Sequence, residues 1–460
     1  MERGLLAVCV FVVSSVLCAQ EDSAGEETNI VFSSEGFLYV LEVSRNRFIS
    51  PENKPIKIYL DGEEAKESPS FQTFDVRSIG KSECDSGSVF EASCRAARYG
   101  PVFMKKIAKK GFQWEPCSGQ ASTSTRGGIL YVAADIKKED GKSYKINKER
   151  GKHIIKEDIL AGGDHRSDAI GSPLSKKRRK IEMHRRSERR FDENNTLYIG
   201  VAADCSFCMK FESTSEAQTA IVNVFSRVHR AFKDGFGLNV YVSKIYLREE
   251  CAPEKTDING PMGWNVSCDG GATMRSRLSS FAQWRGEQKD DLGLYHLMTG
   301  CVDGTVLGMA YQGKVCRTES WSSFPTDVFG PAGGRYSISG VSLTRYHDGQ
   351  VFSIIHEIGH NLGAAHDCTA EECSIRKDTS ECRECDGCDC KGKYIMNPLE
   401  IKTAEFSKQS KDDIFCLLLE GSGAACLKPE GERERVQAAV CGNGIKEEGE
   451  ECDCGDEESC

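Results

Sequence analysis

The segment HEIGHNLGAAHD, which begins at His356, constrains this chain more than any other part of its sequence. On a helix, His356 and His360 lie about one turn apart on the same face, so both imidazoles can reach one zinc ion. Gly363 allows the backbone to end that helix and reverse, which brings His366 round as a third ligand. Three imidazole ligands leave the fourth position open for water, as in catalytic zinc sites.

Two further residues fit this interpretation. Glu357 follows the first ligand and is placed to act as general base toward a zinc-activated water. Met396 lies in the segment YIMNP after the third His, where metzincins place a methionine turn beneath the zinc, although a plain core methionine is the alternative. Chance alone gives the spacing of three His, one Glu and one Gly in under about 1 in 10,000 chains of this composition.

These stretches resemble the adamalysin (reprolysin, ADAM) branch of the metzincins, which carries an aspartate where Asp367 follows the third His. Residues 295–316 are similar to the family's segment leading into the substrate-lining edge strand, and residues 441–455 to the start of a disintegrin domain. The stretch IGVAADC is more similar to fungal-type members of this family. The resemblance implies a zinc endopeptidase and covers residues 191–460.

The periodicity after Asn194 predicts an α/β fold. Buried strands are expected at 196–202, 238–247, 292–298 and 306–311, with helices after Ser213 and around 275–284. Alternating strands and helices favour a mostly parallel twisted sheet, to which the resemblance adds the active-site helix. We expect an extended substrate to pair with the edge strand Leu307–Tyr311.

The N-terminus predicts export. Residues 1–19 have the short charged start, short apolar middle and small-residue exit of a signal peptide, and a membrane anchor is the alternative. Twenty-three cysteines in 460 residues also suit an oxidising compartment. We expect a secreted chain without a second membrane span. Its net charge of −10 argues against a nucleic-acid partner.

Residues 20–190 are interpreted as a β-rich propeptide. Short alternating runs at 37–43, 57–60 and 129–134 predict strands, whereas the Lys-, Glu- and Gly-rich stretch 137–168 is expected to be exposed and loosely ordered. Residues 176–190 hold nine Lys or Arg and predict a linker cut by a proprotein convertase. A nuclear or nucleic-acid signal and a plain solvated charge run are the alternatives.

Cysteine spacing allows several structures. Residues 191–430 contain fourteen Cys, an even number compatible with seven disulfides, and the run at 382–390 favours disulfides over a metal site in an exported chain. In the N-terminal region, Cys117 faintly resembles the family's cysteine switch, in which a thiolate occupies the open zinc position. A plain structural cysteine is the alternative.

Residues 431–460 are interpreted as the start of a truncated disintegrin domain. The resemblance implies a structural calcium site there, with two backbone and four side-chain ligands, against the alternative of an acidic tail. Those six residues are Val440, Asn443, Ile445, Glu447, Glu450 and Asp453. Asn194 and Asn265 begin glycosylation sequons.

The sequence as a whole predicts a secreted zinc metalloendopeptidase made as a zymogen. Its domains are a signal peptide (1–19), a propeptide ending in the basic linker (20–190), a metzincin protease domain (191–430) and the disintegrin start (431–460). The expected partners are extracellular or cell-surface protein substrates, a convertase and a cell-surface receptor. The alternative is an adhesion protein with a vestigial protease domain.

Overall fold

A computed structural model describes part of the chain. The described residues are 27–35, 37–46, 56–65, 70–84, 102–104, 112–126, 129–140, 142–149, 152–157, 165, 168–170, 196–318, 321–323, 336–347, 349–367, 393–419 and 425–429. The signal segment, the basic linker, the cysteine run at 382–390, the sequon at Asn194 and the calcium residues therefore lie outside the described residues.

The described strands are, in chain order, β1 (Glu27–Ser34), β2 (Phe37–Asn46), β3 (Lys57–Leu60), β4 (Glu63–Glu64), β5 (Ser70–Glu83), β6 (Val102–Met104), β7 (Gln113–Arg126), β8 (Ile129–Lys138), β9 (Ser143–Glu149), β10 (Lys152–Glu157), β11 (Ala169–Ile170), β12 (Thr196–Ala203), β13 (Asn239–Leu247), β14 (Leu294–Thr299), β15 (Gly308–Tyr311), β16 (Trp321–Ser323), β17 (Tyr336–Ile338) and β18 (Val341–Arg345). The described α-helices are α1 (Cys205–Cys208), α2 (Thr214–Phe236), α3 (Met274–Glu287), α4 (Gln350–Asn361) and α5 (Lys408–Leu419).

The N-terminal region forms an antiparallel sheet of its own, in the order β10-β9-β8-β7-β5-β2-β1-β6. Alternate residues of its strands are apolar and buried, among them Ile30, Phe32, Leu41 and Val43. The stretch from 137 was expected to be loosely ordered, and this is wrong where the structure describes it, because β9 and β10 form a paired hairpin there.

The second sheet has the order β11-β15-β18-β14-β12-β13-β3-β4. Strands β12, β13, β14 and β18 run parallel, whereas β15 is antiparallel to β18. Ile199 and Val201 belong to the cluster that contains α2 and α4, and Tyr198 and Ala202 to the cluster that contains α3. Helices therefore cover both faces, which confirms the predicted mixed α/β class.

The N-terminal region also completes this second sheet. Strand β3 pairs in parallel with β13, and β11 pairs in parallel with β15. Strands from residues before 190 thus lie at both ends of the sheet that the later residues form. The N-terminal region therefore forms a sheet of its own and also contributes strands to the second sheet.

Helix α2 begins directly after Ser213, as predicted, and ends at a glycine. The Ser213 hydroxyl accepts a hydrogen bond from the amide of Glu216, which satisfies one exposed donor at the helix start. At the other end, Gly237 adopts φ +72°, a left-handed conformation that glycine takes without strain.

Three disulfides join described residues: Cys205–Cys251, Cys268–Cys301 and Cys316–Cys426. Cys208 carries a free thiol, so the fourteen cysteines of residues 191–430 do not all pair.

The structure does not support glycosylation of the sequon at Asn265. The Asn265 side chain is buried and its amide nitrogen donates to the Glu250 carbonyl at 2.9 Å, so that nitrogen is not accessible to a glycan.

Across the described ranges, no helix combines the length and the apolar character needed to cross a membrane.

Candidate metal centre

Helix α4 carries the first two histidines of the motif, one turn apart. His356 Nδ1 donates to the Ile395 carbonyl at 2.7 Å, and His360 Nδ1 donates to the Ala364 carbonyl at 2.8 Å. Each bond occupies Nδ1 and leaves Nε2 of the neutral ring as the free ligand atom. The backbone therefore fixes both rings with Nε2 directed into the cleft.

The third histidine reaches the same point after a chain reversal. Gly363 has φ +102°, and a Cβ there would lie 3.3 Å from Leu417 Cδ2, so the turn requires glycine. His366 Nε2 lies 3.2 Å from His356 Nε2 and 3.1 Å from His360 Nε2. The three imidazoles thus converge on one point.

The methionine of the YIMNP segment lies beneath this helix. Met396 is fully buried, and a Cβ on Gly359 would lie 2.7 Å from its sulfur, so the helix and the turn meet closely at that glycine. Asp367 fixes the same turn, because its amide donates to the Met396 carbonyl at 2.8 Å and its carboxylate accepts from Ser407 at 2.7 Å.

A carboxylate that the sequence did not indicate completes the cluster. Asp168, from the N-terminal region, is fully buried, and its oxygens lie 3.3 Å from His356 Nε2, 3.3 Å from His360 Nε2 and 3.0 Å from His366 Nε2. These four side chains could together hold a metal ion.

A second unpredicted residue, His165, covers the general-base candidate. Its Nδ1 lies 3.2 Å from Glu357 Oε1 and 2.9 Å from Asp168 Oδ2, and its ring stacks on His356 with 4.1 Å between centroids. Glu357 itself is fully buried. No spacing rule links His165 or Asp168 to the motif, which begins 188 residues after Asp168.

The electrostatics of the cluster suit metal binding. Burial holds the pKa of His356 and His360 below the usual value, so both rings stay neutral, as a metal ligand must be. Burial and the Asp168 charge raise the pKa of Glu357. Burial opposes protonation of His165, but its bonds to Asp168 and Glu357 prevail and raise its pKa to about 10.

The spacing of the ligand atoms fits a zinc ion. Nitrogen ligands at the usual zinc distance in a tetrahedral site lie about 3.3 Å apart. The observed nitrogen-to-nitrogen separations of 3.1 and 3.2 Å are close to this value. Neutral imidazoles and a carboxylate are also ligands that zinc accepts.

Cys117 lies elsewhere. It is in β7, paired with Lys138 of β8, and packs against the apolar cluster of the N-terminal sheet. Burial raises the pKa of its thiol to about 11, which disfavours the thiolate that a metal would need. The metal-ligating groups of the described residues contain Asp168 and not this cysteine. The interpretation of Cys117 as a switch is therefore not retained.

The predicted edge strand is occupied. Strand β15 lies beside the cluster, since a Cβ on Gly308 would lie 2.5 Å from Glu357 Oε1. The amides of Ala310 and Gln312 donate to the Asp168 and Ile170 carbonyls at 3.0 and 2.9 Å. An extended segment of this chain therefore pairs where a substrate was expected.

The three converging imidazoles and the adjacent glutamate form a metal-binding cluster of the HExxH type. Residues 193–407 match the reprolysin family model, described as metallopeptidase family M12. This part of the chain is similar to the adamalysin-type zinc metalloproteases.

The matched relatives carry names of the same kind. The chain is 34% identical over 270 residues to disintegrin and metalloproteinase domain-containing protein B of Aspergillus fumigatus, covering 57% of this chain and 32% of the relative. It is 26% identical over 288 residues to the zinc metalloprotease mde10 of Schizosaccharomyces pombe, covering 58% and 54%. It is 28% identical over 246 residues to the zinc metalloproteinase-disintegrin-like brevilysin H2a of Gloydius brevicauda, covering 52% and 47%.

The fungal relatives agree with the fungal leaning of the sequence. The chain spans about a third of the length of the Aspergillus relative.

Proposed function

We propose that this chain is the precursor of a secreted zinc metalloendopeptidase that cleaves extracellular or cell-surface proteins. The convergence of three imidazole Nε2 atoms beside the buried Glu357 carries the proposal. In it, His356, His360 and His366 hold the zinc ion. A bound zinc ion supplies Lewis acidity toward a peptide carbonyl and a water molecule.

The residues of this chain then have separate tasks. Glu357 accepts a proton from the attacking water and passes it to the leaving amine, so it ends the reaction ionised as it began. The Glu357 carboxylate is oriented to accept a proton from a group in the cleft. In the uncut chain the group at that place is His165, whose Nδ1 lies 3.2 Å from Glu357 Oε1. The amides of β15 are the donors that would hold an extended substrate.

The flanking segments complete the proposal. Residues 1–19 direct export, residues 20–190 are a propeptide, and a convertase cuts within the basic linker at 176–190. Residues 431–460 begin a disintegrin domain in which Val440, Asn443, Ile445, Glu447, Glu450 and Asp453 hold calcium, and this domain contacts a cell-surface receptor. The relatives' printed names, which pair disintegrin with metalloproteinase, support this layout.

Glu357→Gln tests the chemical role. The substitution keeps the size of the side chain but removes the proton acceptor, so we expect zinc to stay bound while hydrolysis of a fluorogenic peptide falls at least about a hundredfold. Zinc content and hydrolysis are measured on protein cut at the basic linker.

The matched control is Glu287→Gln, an exposed position on α3, which should change neither quantity. Substantial hydrolysis by the Glu357 variant would contradict the general-base role. A wild-type chain that binds zinc but cleaves no peptide would favour the adhesion alternative.

A further inference from the structure

We propose that Asp168 is a fourth metal ligand, which closes the catalytic centre of the uncut chain from within. The plug is defined here as His165 together with residues 168–170. The inference rests on the proposed zinc peptidase function, and it adds a ligand and a regulatory step to the same site.

The Asp168 carboxylate lies where a metal ligand is expected, close to all three imidazole nitrogens. Its carboxylate oxygens lie 3.0–3.3 Å from all three imidazole Nε2 atoms. The imidazole nitrogens lie 3.1 and 3.2 Å from each other. The carboxylate therefore lies against all three ligand nitrogens, where it would fill the position that catalytic zinc sites keep open for water.

The charges of the site also call for a cation. Asp168 and Glu357 are both fully buried. The groups placed against the Asp168 carboxylate are the imidazoles of His165, His356, His360 and His366. The single ring of His165 can offset only one of these two carboxylates, and a divalent ion held by Asp168 and the three motif histidines would supply the remaining positive charge.

The plug is attached to both walls of the cleft. On one side, the His165 amide donates to the carbonyl of Pro398, directly after the methionine turn, at 2.8 Å. On the other side, the Ala310 amide donates to the Asp168 carbonyl at 3.0 Å. One amide and one carbonyl of the plug are thus hydrogen-bonded to opposite walls of the cleft, and Asp168 is held between these walls.

His165 completes the closure as a positioning residue. It pairs with the Asp168 carboxylate and also covers Glu357, and its Nε2 lies 3.4 Å from the Ser353 hydroxyl. The plug therefore contacts both parts of the catalytic machinery, the metal ligands and the general base. Because the plug precedes the basic linker, a cut there separates it from the protease and allows it to leave.

The first experiment compares uncut full-length chains that carry Asp168→Asn and Asp140→Asn. Both substitutions replace a carboxylate by an amide in the N-terminal region, but Asp140 lies in an exposed turn. We expect a chelator to remove zinc at least about tenfold faster from the Asp168 variant, since even partners outside the metal ligands change affinity 10–100-fold. The uncut Asp168 variant should also bind a hydroxamate, which needs an open metal position.

The second experiment asks directly whether residue 168 touches the metal. In cobalt(II)-loaded uncut protein, Asp168→Cys should produce a thiolate-to-cobalt charge-transfer band in the near ultraviolet, and Asp140→Cys should not. This readout does not depend on activity. It also remains informative if the Asn variant folds poorly, because a thiolate can replace the lost ligand.

The outcomes separate the inference from the proposed function. Absence of the charge-transfer band, together with zinc release and hydroxamate binding like those of the wild type, would overturn the role of Asp168 while zinc is still bound. A wild-type chain that binds neither zinc nor cobalt would instead overturn the proposed function itself.

Discussion

Single residues decide whether the catalytic centre is aligned, and several of them act through the backbone. The rings of His356 and His360 are fixed by carbonyl groups of Ile395 and Ala364 rather than by side chains. Backbone partners of metal ligands orient the rings as well as carboxylates do. Such partners can be supplied by almost any amino acid, so a sequence does not identify them.

Gly308→Ala tests how closely β15 must approach Glu357. The added Cβ would lie 2.5 Å from Glu357 Oε1 and 2.7 Å from its Cγ, so the carboxylate has to move. A displacement of about 1 Å costs on the order of a hundredfold in catalysis. We therefore expect kcat/KM of the cut enzyme to fall by about that factor at unchanged zinc content.

Gly235→Ala is the matched control for this substitution. A Cβ there meets only Phe406 Cδ2, at 4.0 Å, so the change should leave peptide hydrolysis as it is. If Gly308→Ala retains activity within about twofold of the wild type, the close approach of β15 does not position Glu357.

The motif predicted the convergence of three histidines and Glu357 because a helix and a glycine turn fix those positions locally. It could not predict Asp168 or His165, because their contacts depend on how the N-terminal region folds over the cleft. Asp168 lies at the end of a stretch whose charge and glycine content suggested an exposed segment. Burial of its carboxylate is a tertiary property with no local pattern.

At the scale of elements, prediction succeeded where apolar periodicity was strong. Strands β12, β13 and β14 and helices α2 and α3 all lie where the sequence placed them, to within a few residues at each end. Strands β9 and β10 were missed. Their Lys and Glu residues hide, at the level of sequence, the alternation in which Ile146 is buried and Ile155 packs against the same cluster.

A buried histidine of β14 gives the fold a pH dependence. Burial lowers the pKa of His296 to about 3, and its ring nitrogens face Ser342 and Thr344 at 2.8 and 3.0 Å. The unfolded chain binds a proton near pH 6.5, so between about pH 6.5 and 3 it binds more protons than the folded chain. Stability must therefore fall as the pH falls through this window, by about 1.4 kcal/mol per pH unit.

His296→Gln tests this linkage, because glutamine can keep hydrogen bonds to the two hydroxyls without titrating. Urea unfolding of the uncut chain, followed from pH 7 to pH 4, should show a smaller loss of stability for the variant than for the wild type. The wild-type curve also contains His229, whose pKa burial lowers to about 4, so some dependence remains. Parallel curves for the two proteins would show that His296 does not contribute.

At the scale of the whole molecule, strands of the N-terminal region cover the edges of the second sheet. Strand β3 covers β13 at one end and β11 covers β15 at the other, so neither offers an unpaired edge to another chain. The N-terminal sheet also contacts α2 through polar pairs, including Asp135 with Arg227 at 3.2 Å and Asp75 with Arg230 at 2.7 Å. Polar interfaces of this kind are typical of units that can separate.

Hydrogen exchange should show this separation at two distant places at once. The amides of Ala310 and Gln312 donate to carbonyls of the plug, and residues 244–247 of β13 pair with β3. After a cut within 176–190 and removal of the N-terminal fragment, amides in both segments should exchange faster, because their partners belong to the departed strands. Central strand β14, paired on both sides with strands that remain, is the internal control.

Protection of the β15 amides reports whether the plug is bound, and protection of the β13 amides reports whether β3 is bound. If, after the cut but before the fragment is removed, β15 loses protection while β13 keeps it, the plug leaves before β3 does, and opening of the site does not need complete release. If both keep protection after the fragment has been removed, then β3 and β11 do not protect these edges in solution. Loss at both edges together is the result expected if one cut frees one cooperative unit, since the plug and β3 belong to the same N-terminal segment.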